Sequence, residues 1–380
     1  MLSVFLESRN GLPVFQSLFN AIIKKKVDLE KTDDTSHTSV YCLYDVPGYL
    51  VPHYDVNQWV VKTVNSFEGS IITLKNYKDE TEYLKTNFSS SRRSKFNTYR
   101  KRLEKVFNIS YKAYYGDISE TEYNALFIKF RELIEKRFVE KQITNDDLAR
   151  WDVYIKIALP LIRKKQAVLF VIYNEEEPIS ICLNLIRDNV IYGYIRAYDI
   201  DYSKYYLGFT DFIKQLEWCY ANTIKVFDLL KGKYAYKSRL IDDNYFFQKH
   251  IIYNKNSSWA KCIGTLLYLK INIFYKAIRI LKKLKVDALL RKILEYRYKK
   301  HTPSKALNYA TETIINRNMV LPNNEIDISD AYYSFLKRPV YDTLYRTQES
   351  LNAIKVFNDS ANNKLYYIAG NKTLTKITIN

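Results

Sequence analysis

The chain has 380 residues, with 59 Lys or Arg against 41 Asp or Glu and a formal net charge of +18. That length allows two ordinary domains with real cores, and the charge favours anionic partners such as phosphorylated cofactors, nucleic acid or an acidic membrane surface. Cys42, Cys182, Cys219 and Cys262 form no CxxC pair, and His37, His53, His250 and His301 are scattered, so no metal site is expected and the thiols read as reduced.

The opening MLSVFLESRNG has neither a basic leader nor a long apolar run, so it reads as no secretory signal. No stretch of about 18 uncharged apolar residues offers a spanning helix. A cytoplasmic location follows as the expectation.

In chain order, QSLFNAIIKKKVD (16–28) looks helical, while SVYCLYDVP (39–47) and GSIITLKNY (69–77) look like strands. Residues 30–38 read as a polar loop. SRRSKFNTYRKRLEKVF (91–107) is a basic helix candidate. Arg92 and Arg93 at its start could clamp a phosphorylated substrate, since Arg matches phosphate in bidentate fashion; the alternative is a solvated face. NISYKAYY (108–115) reads as a strand. The next helix opens on Ser119 with Glu122 three residues on and runs to Phe138. ITNDDLARWDVYIKIALPLIRKK (143–165) gives a further helix, with Thr144 or Asn145 as its cap and Pro160 as a kink.

Three strands follow from Ala167 to Asp199, with turns at Asn174–Pro178 and at Asp188–Asn189. The loop DYSKYYLG, ending at Gly208, leads into FTDFIKQLEWCYANT, whose Phe209, Phe212, Ile213, Leu216 and Tyr220 lie on one helical face. KVFDLL is a strand again, closed by Gly232, and FFQKHIIYN is another. A helix fed by a strand through a short loop points its free N–H groups at that loop, which makes a natural anion site.

That order, strand–helix–helix–three strands–helix–strand–turn–strand from residue 108, is the order of the GNAT acyltransferase fold. YDIDYSKYYLGFTDFIKQLEW, FDLLKG and YKSRL also resemble the CelD-like GNAT acetyltransferases associated with polysaccharide and cellulose biosynthesis, over about 90–255. The family's tyrosine-bearing loop with its glycine, its strand Asp, its Gly and its Tyr-Lys pair correspond to Gly208, Asp228, Gly232, Tyr236 and Lys237. The chain departs from it in having Tyr206-Leu207-Gly208 where Ser-Pro-Gly is frequent, and Leu240 where an aromatic is frequent.

The resemblance implies an α/β (α+β) GNAT fold, a mixed sheet flanked by helices with two GNAT-like lobes. It divides the chain into an N-terminal lobe with the basic helix (1–107), a catalytic domain (108–256), a basic amphipathic helix (257–300) and an extension (301–380). It implies acetyl-CoA or another acyl-CoA as donor, no metal, and an amine acceptor on a sugar or cell-envelope precursor, small or lipid-linked. The amides of Tyr205, Tyr206, Leu207 and Gly208 would meet the pyrophosphate. Asp228 would be the base, Tyr236 the acid, Lys237 a screen for the thiolate, and Arg196 a substrate contact. Against these stand structural roles: Asp228 capping the next turn, Tyr236 as a half-buried aromatic, Lys237 solvated and Arg196 in a salt bridge. Two other readings remain: a Fem-type transferase that takes aminoacyl-tRNA, and a non-catalytic basic nucleic-acid-binding protein.

Residues 255–300 carry 13 Lys or Arg and 2 Asp or Glu, a net of 13 − 2 = +11. Phe274, Ile278, Leu281, Leu284 and Ala288 recur at helical spacing, with Lys276, Arg279 and Lys283 on another face. Such a helix could lie on an anionic bilayer, placing the protein peripherally at the inner membrane face, or pack its apolar face on the transferase. KLYYIAGNKTLTKITI reads as a terminal hairpin turning at Asn371.

Overall fold

The computed structural model describes residues 6–7, 14–15, 17–29, 38–141, 147–232, 240–284, 286, 308–314, 324–371 and 373–379. The expected helix at 16–28 is instead a hairpin, strand β1 (Ser17–Asn20) and strand β2 (Lys25–Asp28), with β1 also pairing β4 (Leu50–Pro52). Spacing alone does not separate a short apolar run in a helix from one in a strand. Here the buried Asn20 accepts hydrogen bonds from the Ile22 and Ile23 amides, and Lys24 takes φ 54°, so a turn wins over a helix.

One eight-stranded mixed sheet dominates the chain. Its strands are β3 (Val40–Pro47), β5 (Trp59–Ile72), β6 (Ile109–Tyr114), β7 (Ala167–Asn174), β8 (Glu177–Arg187), β9 (Val190–Tyr198), β10 (Val226–Lys231) and β11 (Asp243–Asn254). Their order is β3-β11-β5-β10-β9-β8-β7-β6, and only the β9–β10 pair is parallel. Strands from before residue 107 therefore lie in the same sheet as those after it. The turns expected from Asn174 and from Asp188–Asn189 are present, with φ 55° at Glu175, 49° at Asp188 and 63° at Asn189, the backbone a two-residue hairpin needs.

Helices cover both faces. On one, α3 (Glu120–Lys141) and α4 (Trp151–Arg163) pack Tyr123, Phe127, Phe130 and Trp151 onto the sheet. Ser119 caps α3 by accepting from the Glu122 amide at 3.1 Å, and Pro160 lies within α4 as expected. On the other face lie α1 (Glu80–Asn87), α2 (Ser90–Val106) and α5 (Leu207–Ala221), with Tyr83, Phe96, Phe212 and Leu216 in the core. A 26-residue helix, α6 (Ser258–Lys283), packs across β5 and β11. Gly264 permits this contact, because a Cβ there would lie 2.2 Å from the Tyr253 ring.

The C-terminal part adds a five-stranded sheet of β12 (Tyr309–Ile314), β13 (Asn324–Ile326), β14 (Lys355–Asn358), β15 (Leu365–Ala369) and β16 (Leu374–Ile379), with helix α7 (Lys337–Thr347). The expected terminal hairpin is β15–β16. Val340, Tyr341 and Leu344 of α7 share a core with Leu103 and Val106 of α2 and with Tyr202 and Tyr205 of the loop before α5. The extension thus holds that loop from behind.

His250 on β11 is buried, and burial lowers its pKa from 6.5 to about 4. Its Nδ1 lies 2.8 Å from the Tyr54 hydroxyl and its Nε2 3.0 Å from the side-chain Oε1 of Gln248, a pattern that suits neutral imidazole. The unfolded chain takes up this proton near pH 6.5 while the fold resists it until about pH 4. Stability therefore falls as pH drops through that window, by about 3 kcal/mol for this group. Urea midpoints at neutral pH and near pH 5 should fall for the native protein and converge for His250→Gln.

Candidate active site

The site forms where two neighbouring strands separate. β9 and β10 pair through Val190–Val226, Ile191–Phe227 and Tyr192–Asp228 only, although β9 continues to Tyr198. Two irregularities cause this. β9 shifts register against β8 between Leu183 and Asn184, leaving Tyr194 as an extra residue. β10 shifts against β5 between Asp228 and Lys231, with Leu230 at φ 57°. Bulges bend strands and end pairing, so β10 turns toward β5 and away from β9. The result is a wedge-shaped opening at the C-terminal ends of two parallel strands.

Asp228 stands at the vertex of the wedge. It is fully buried; Tyr49 donates to its Oδ2 at 2.5 Å, and the Tyr245 hydroxyl lies 3.0 and 2.8 Å from Oδ1 and Oδ2. Burial, then Asp228 itself, raises both tyrosine pKa values well above normal, so both hydroxyls keep their protons and donate. The Leu230 amide also donates to Oδ1 at 2.7 Å, two residues on, which fixes the turn that kinks β10. This is the capping role anticipated as the alternative for Asp228. Neither Tyr49 nor Tyr245 stood out in the sequence, because residues 179 and 17 positions away carry no motif linking them to Asp228. Gly69 was also missed. A Cβ there would lie 2.4 Å from the Tyr245 ring, so glycine makes room for that tyrosine.

At the open end of the wedge, Asp199 starts a 3-10 turn over Ile200–Tyr205 that leads into α5. Lys136 of α3 holds the turn, with Nζ 2.7 Å from Asp199 and 2.5 Å from Asp201. Burial works against the lysine cation, but the two carboxylates outweigh it and raise its pKa. Burial, and then Asp199, raise that of Asp201. Tyr205 and Leu207 point inward, and the Tyr205 hydroxyl donates to the Tyr341 carbonyl of α7 at 3.1 Å.

Tyr206 differs. It is 48% exposed, adopts the left-handed conformation at φ 51°, ψ 48°, and caps α5 without a side-chain hydrogen bond. That conformation costs a non-glycine residue about 1–2 kcal/mol. Its ring stacks on Tyr99 of α2 at 4.3 Å, one turn beyond the stacked pair Phe96–Phe209. The helix begins at Leu207, so Gly208 lies in its first turn. A Cβ on Gly208 would meet only the Tyr198 ring, at 3.6 Å, and its φ is not positive. Neither backbone conformation nor packing within the protein requires glycine there. The space around it lies beside the first amides of a helix, where an anion is favoured.

The remaining expected residues are structurally engaged. Arg196 Nε lies 3.3 Å from Asp211 Oδ2 of α5 and 3.2 Å from Cys182 Sγ, and Gln215 donates to the same carboxylate at 2.8 Å. This is the salt bridge foreseen as its alternative. Burial, and then Asp211, push the Cys182 thiol up, so it stays protonated. Arg93 donates to the Phe88 carbonyl at 2.5 Å and closes the end of α1, while Arg92 lies exposed over the Phe88 ring. Tyr236 and Lys237 lie outside the described residues.

A wide cleft lies elsewhere. It measures about 1260 Å3, lies between the β7–β8 turn and the C-terminal sheet, and includes none of the expected site residues. A smaller one of about 390 Å3 runs between α5 and β6–β7 past Asp211 and Trp218. Among the described residues no group of His, Cys, Asp and Glu is arranged to hold a metal ion. No helix among them is long and apolar enough to cross a membrane.

The sheet order, the parted strands and the loop entering α5 define a GNAT-like fold. Specifically, residues 90–238 match the acetyltransferase (GNAT) domain, so the chain carries such a domain, of a kind that typically uses acyl-CoA. The match takes in α2 as well as β6 through β10 and the 233–238 segment. No curated protein matches the sequence.

Among solved structures, FemX shares 12% identity over 53% of this chain and 65% of its own, with a TM-score of 0.39. The C-terminal domain of a putative lysylphosphatidylglycerol synthetase from Agrobacterium fabrum shares 8% over 56% and 66%, with a TM-score of 0.35. A conserved protein of unknown function from Bacteroides thetaiotaomicron VPI-5482 shares 10% over 53% and 64%, with a TM-score of 0.36. The chain thus spans just under two thirds of the length of these structures, and the TM-scores are too low for function to be read from them.

Proposed function

We propose that the protein is an acyl-CoA-dependent N-acyltransferase, using acetyl-CoA or a longer acyl-CoA, whose acceptor is an amine on a sugar or cell-envelope precursor. The observation that carries this reading is the parting of β9 and β10 after three residue pairs, with β9 running on to Tyr198, the one side chain that a Cβ on Gly208 in the first turn of α5 would meet. The pantetheine would lie in the wedge, where β9 has backbone groups beyond Tyr192 that β10 does not reach. The pyrophosphate would take the amides around Tyr206–Gly208, each favourable charge there contributing about 0.3–1 kcal/mol. The exposed face of Tyr206, backed by Tyr99, suits the adenine. Arg92 and the other cations of α2 supply a positive surface for its phosphates.

In the reaction the acceptor nitrogen attacks the thioester carbonyl carbon. A C–N bond forms, the C–S bond breaks, and the amine proton must leave while the thiolate gains one or is screened. Holding the two reactants together can account for roughly 7–11 kcal/mol of the acceleration. Asp228 is assigned to shaping the wedge, because three donors already occupy its carboxylate. The proton steps then fall to water and to the 233–239 segment, which carries Tyr236 and Lys237. Lys237→Ala should lower acyl transfer at least about tenfold without changing the thermal melt, the scale of a positioned general acid or charge. Unchanged turnover would remove it from the mechanism.

Calorimetry with acetyl-CoA, desulfo-CoA and tRNA at two salt concentrations tests the donor. Salt-tolerant CoA binding supports the proposal. Salt-sensitive tRNA binding without CoA binding would instead favour the aminoacyl-tRNA-dependent reading, which the +18 charge alone also accommodates.

A further inference from the structure

Helix α6 has two apolar faces, and the sheet uses only one. Ala260, Gly264 and Tyr275 are buried against β5 and β11, with Ile271 and Ile278 partly so. Around the other side, Trp259, Leu266, Ile273 and Ile280 recur every seven residues and are 74%, 62%, 64% and 59% exposed. Leu269 and Leu284 extend the stripe at 46% and 68%. At 100° per residue these six fall within about a quarter turn of each other, roughly opposite the packed face. The sequence pattern had grouped Ile278 with Phe274, Leu281 and Leu284. The structure separates them, turning Ile278 toward the sheet and the other three outward.

The charge on this helix is all of one sign. From Ser258 to Lys283 it carries Lys261, Lys270, Lys276, Arg279, Lys282 and Lys283 and no Asp or Glu. None of these six is ion-paired among the described residues. Lys261, Lys276, Arg279 and Lys283 run along one flank of the exposed stripe. Lys62 and Lys249, from the strands below, lie over the rings of Tyr268 and Tyr275.

We propose that this outer face of α6 binds the surface of an anionic lipid bilayer, the helix lying flat with Trp259, Leu266, Ile273 and Ile280 below the headgroups and its lysines among them. An apolar stripe bordered by unpaired cations matches the interfacial mode of membrane binding, in which burial and headgroup charge act together. A second copy of the chain is a poorer fit, because packing two such faces would bring their cations together with no carboxylate between them. Large exposed apolar patches are uncommon on a protein that has no use for them.

The test uses the full chain and sedimentation with vesicles of phosphatidylcholine alone or mixed with phosphatidylglycerol. Binding is expected to the mixed vesicles at low salt, weaker at high salt, and little to phosphatidylcholine alone. Leu266→Glu with Ile273→Glu should reduce the bound fraction at least about tenfold. Lys276→Glu with Arg279→Glu should remove most of the salt-sensitive part. Both double variants alter exposed positions, so their melts and CoA binding should match the native protein, which keeps this test separate from that of the donor. No binding to the anionic vesicles, or equal binding by the Leu266→Glu/Ile273→Glu variant, overturns the proposal. A dimer in solution that the same variant dissociates, without vesicle binding, would assign the face to a second copy instead.

Discussion

Asp228→Ala is expected to destabilise the protein by about 3–5 kcal/mol, enough to unfold many domains at ordinary temperature. The alanine leaves the Tyr49 and Tyr245 hydroxyls and the Leu230 amide without their acceptor in a buried site, and each orphaned donor costs about 1–3 kcal/mol before relaxation. Asp228→Asn separates the two roles of the residue. Its amide keeps one oxygen for the Leu230 N–H, and a tyrosine hydroxyl can rotate to accept from its nitrogen. The asparagine variant should therefore fold, at a cost of about 1–2 kcal/mol, and retain acyl transfer within a fewfold with the acidic limb of its pH–rate profile in place. Loss of that limb, with the melt preserved, would return Asp228 to the role of base.

The second large effect is expected at Gly208, where stability and activity should move in opposite directions. Glycine in a helix is less stable than alanine by about 0.5–1 kcal/mol, and the Cβ meets only the edge of Tyr198. Gly208→Ala should raise the melting temperature slightly. Gly208→Leu fills the space beside the first amides of α5 and should weaken CoA binding at least tenfold, about 1.4 kcal/mol, with no loss of fold. Thermal melts and calorimetry on the two variants check this. Native affinity in Gly208→Leu would show that the donor does not approach this turn.

Much of the fold was legible because its elements are long and strongly patterned. The buried strands from Ala167 to Tyr198, the turn residues Asp188–Asn189, the cap at Ser119 and the apolar stripe of α5 each follow from local chemistry. The hairpin of β1 and β2 was not legible, since its apolar run is too short to show a period and the deciding contact is the Asn20 side chain. The loop at 201–208 and the strand that carries Asp228 were recognisable in sequence. What Asp228 does was legible only in part: its cap on the next turn is local, but its two tyrosine partners come from the β3–β4 region and from β11. The basic helix α2 was visible as such, but its Arg93 serves the end of α1, a short-range backbone contact that charge patterning does not reveal.

The eight-stranded sheet has a bearing on how the protein can be divided. The matched segment 90–238 contains β6 to β10, and the strand that covers the outer side of β10 is β5, which lies before it. An excised 90–238 fragment would present β10 as a bare edge with its bulge unsupported, and Tyr49 and Tyr245 would be gone as well. Open edges recruit other strands. Such a fragment should exchange strands between molecules and precipitate, whereas a piece beginning before Val40 and ending after Asn254 would keep the sheet's own partners.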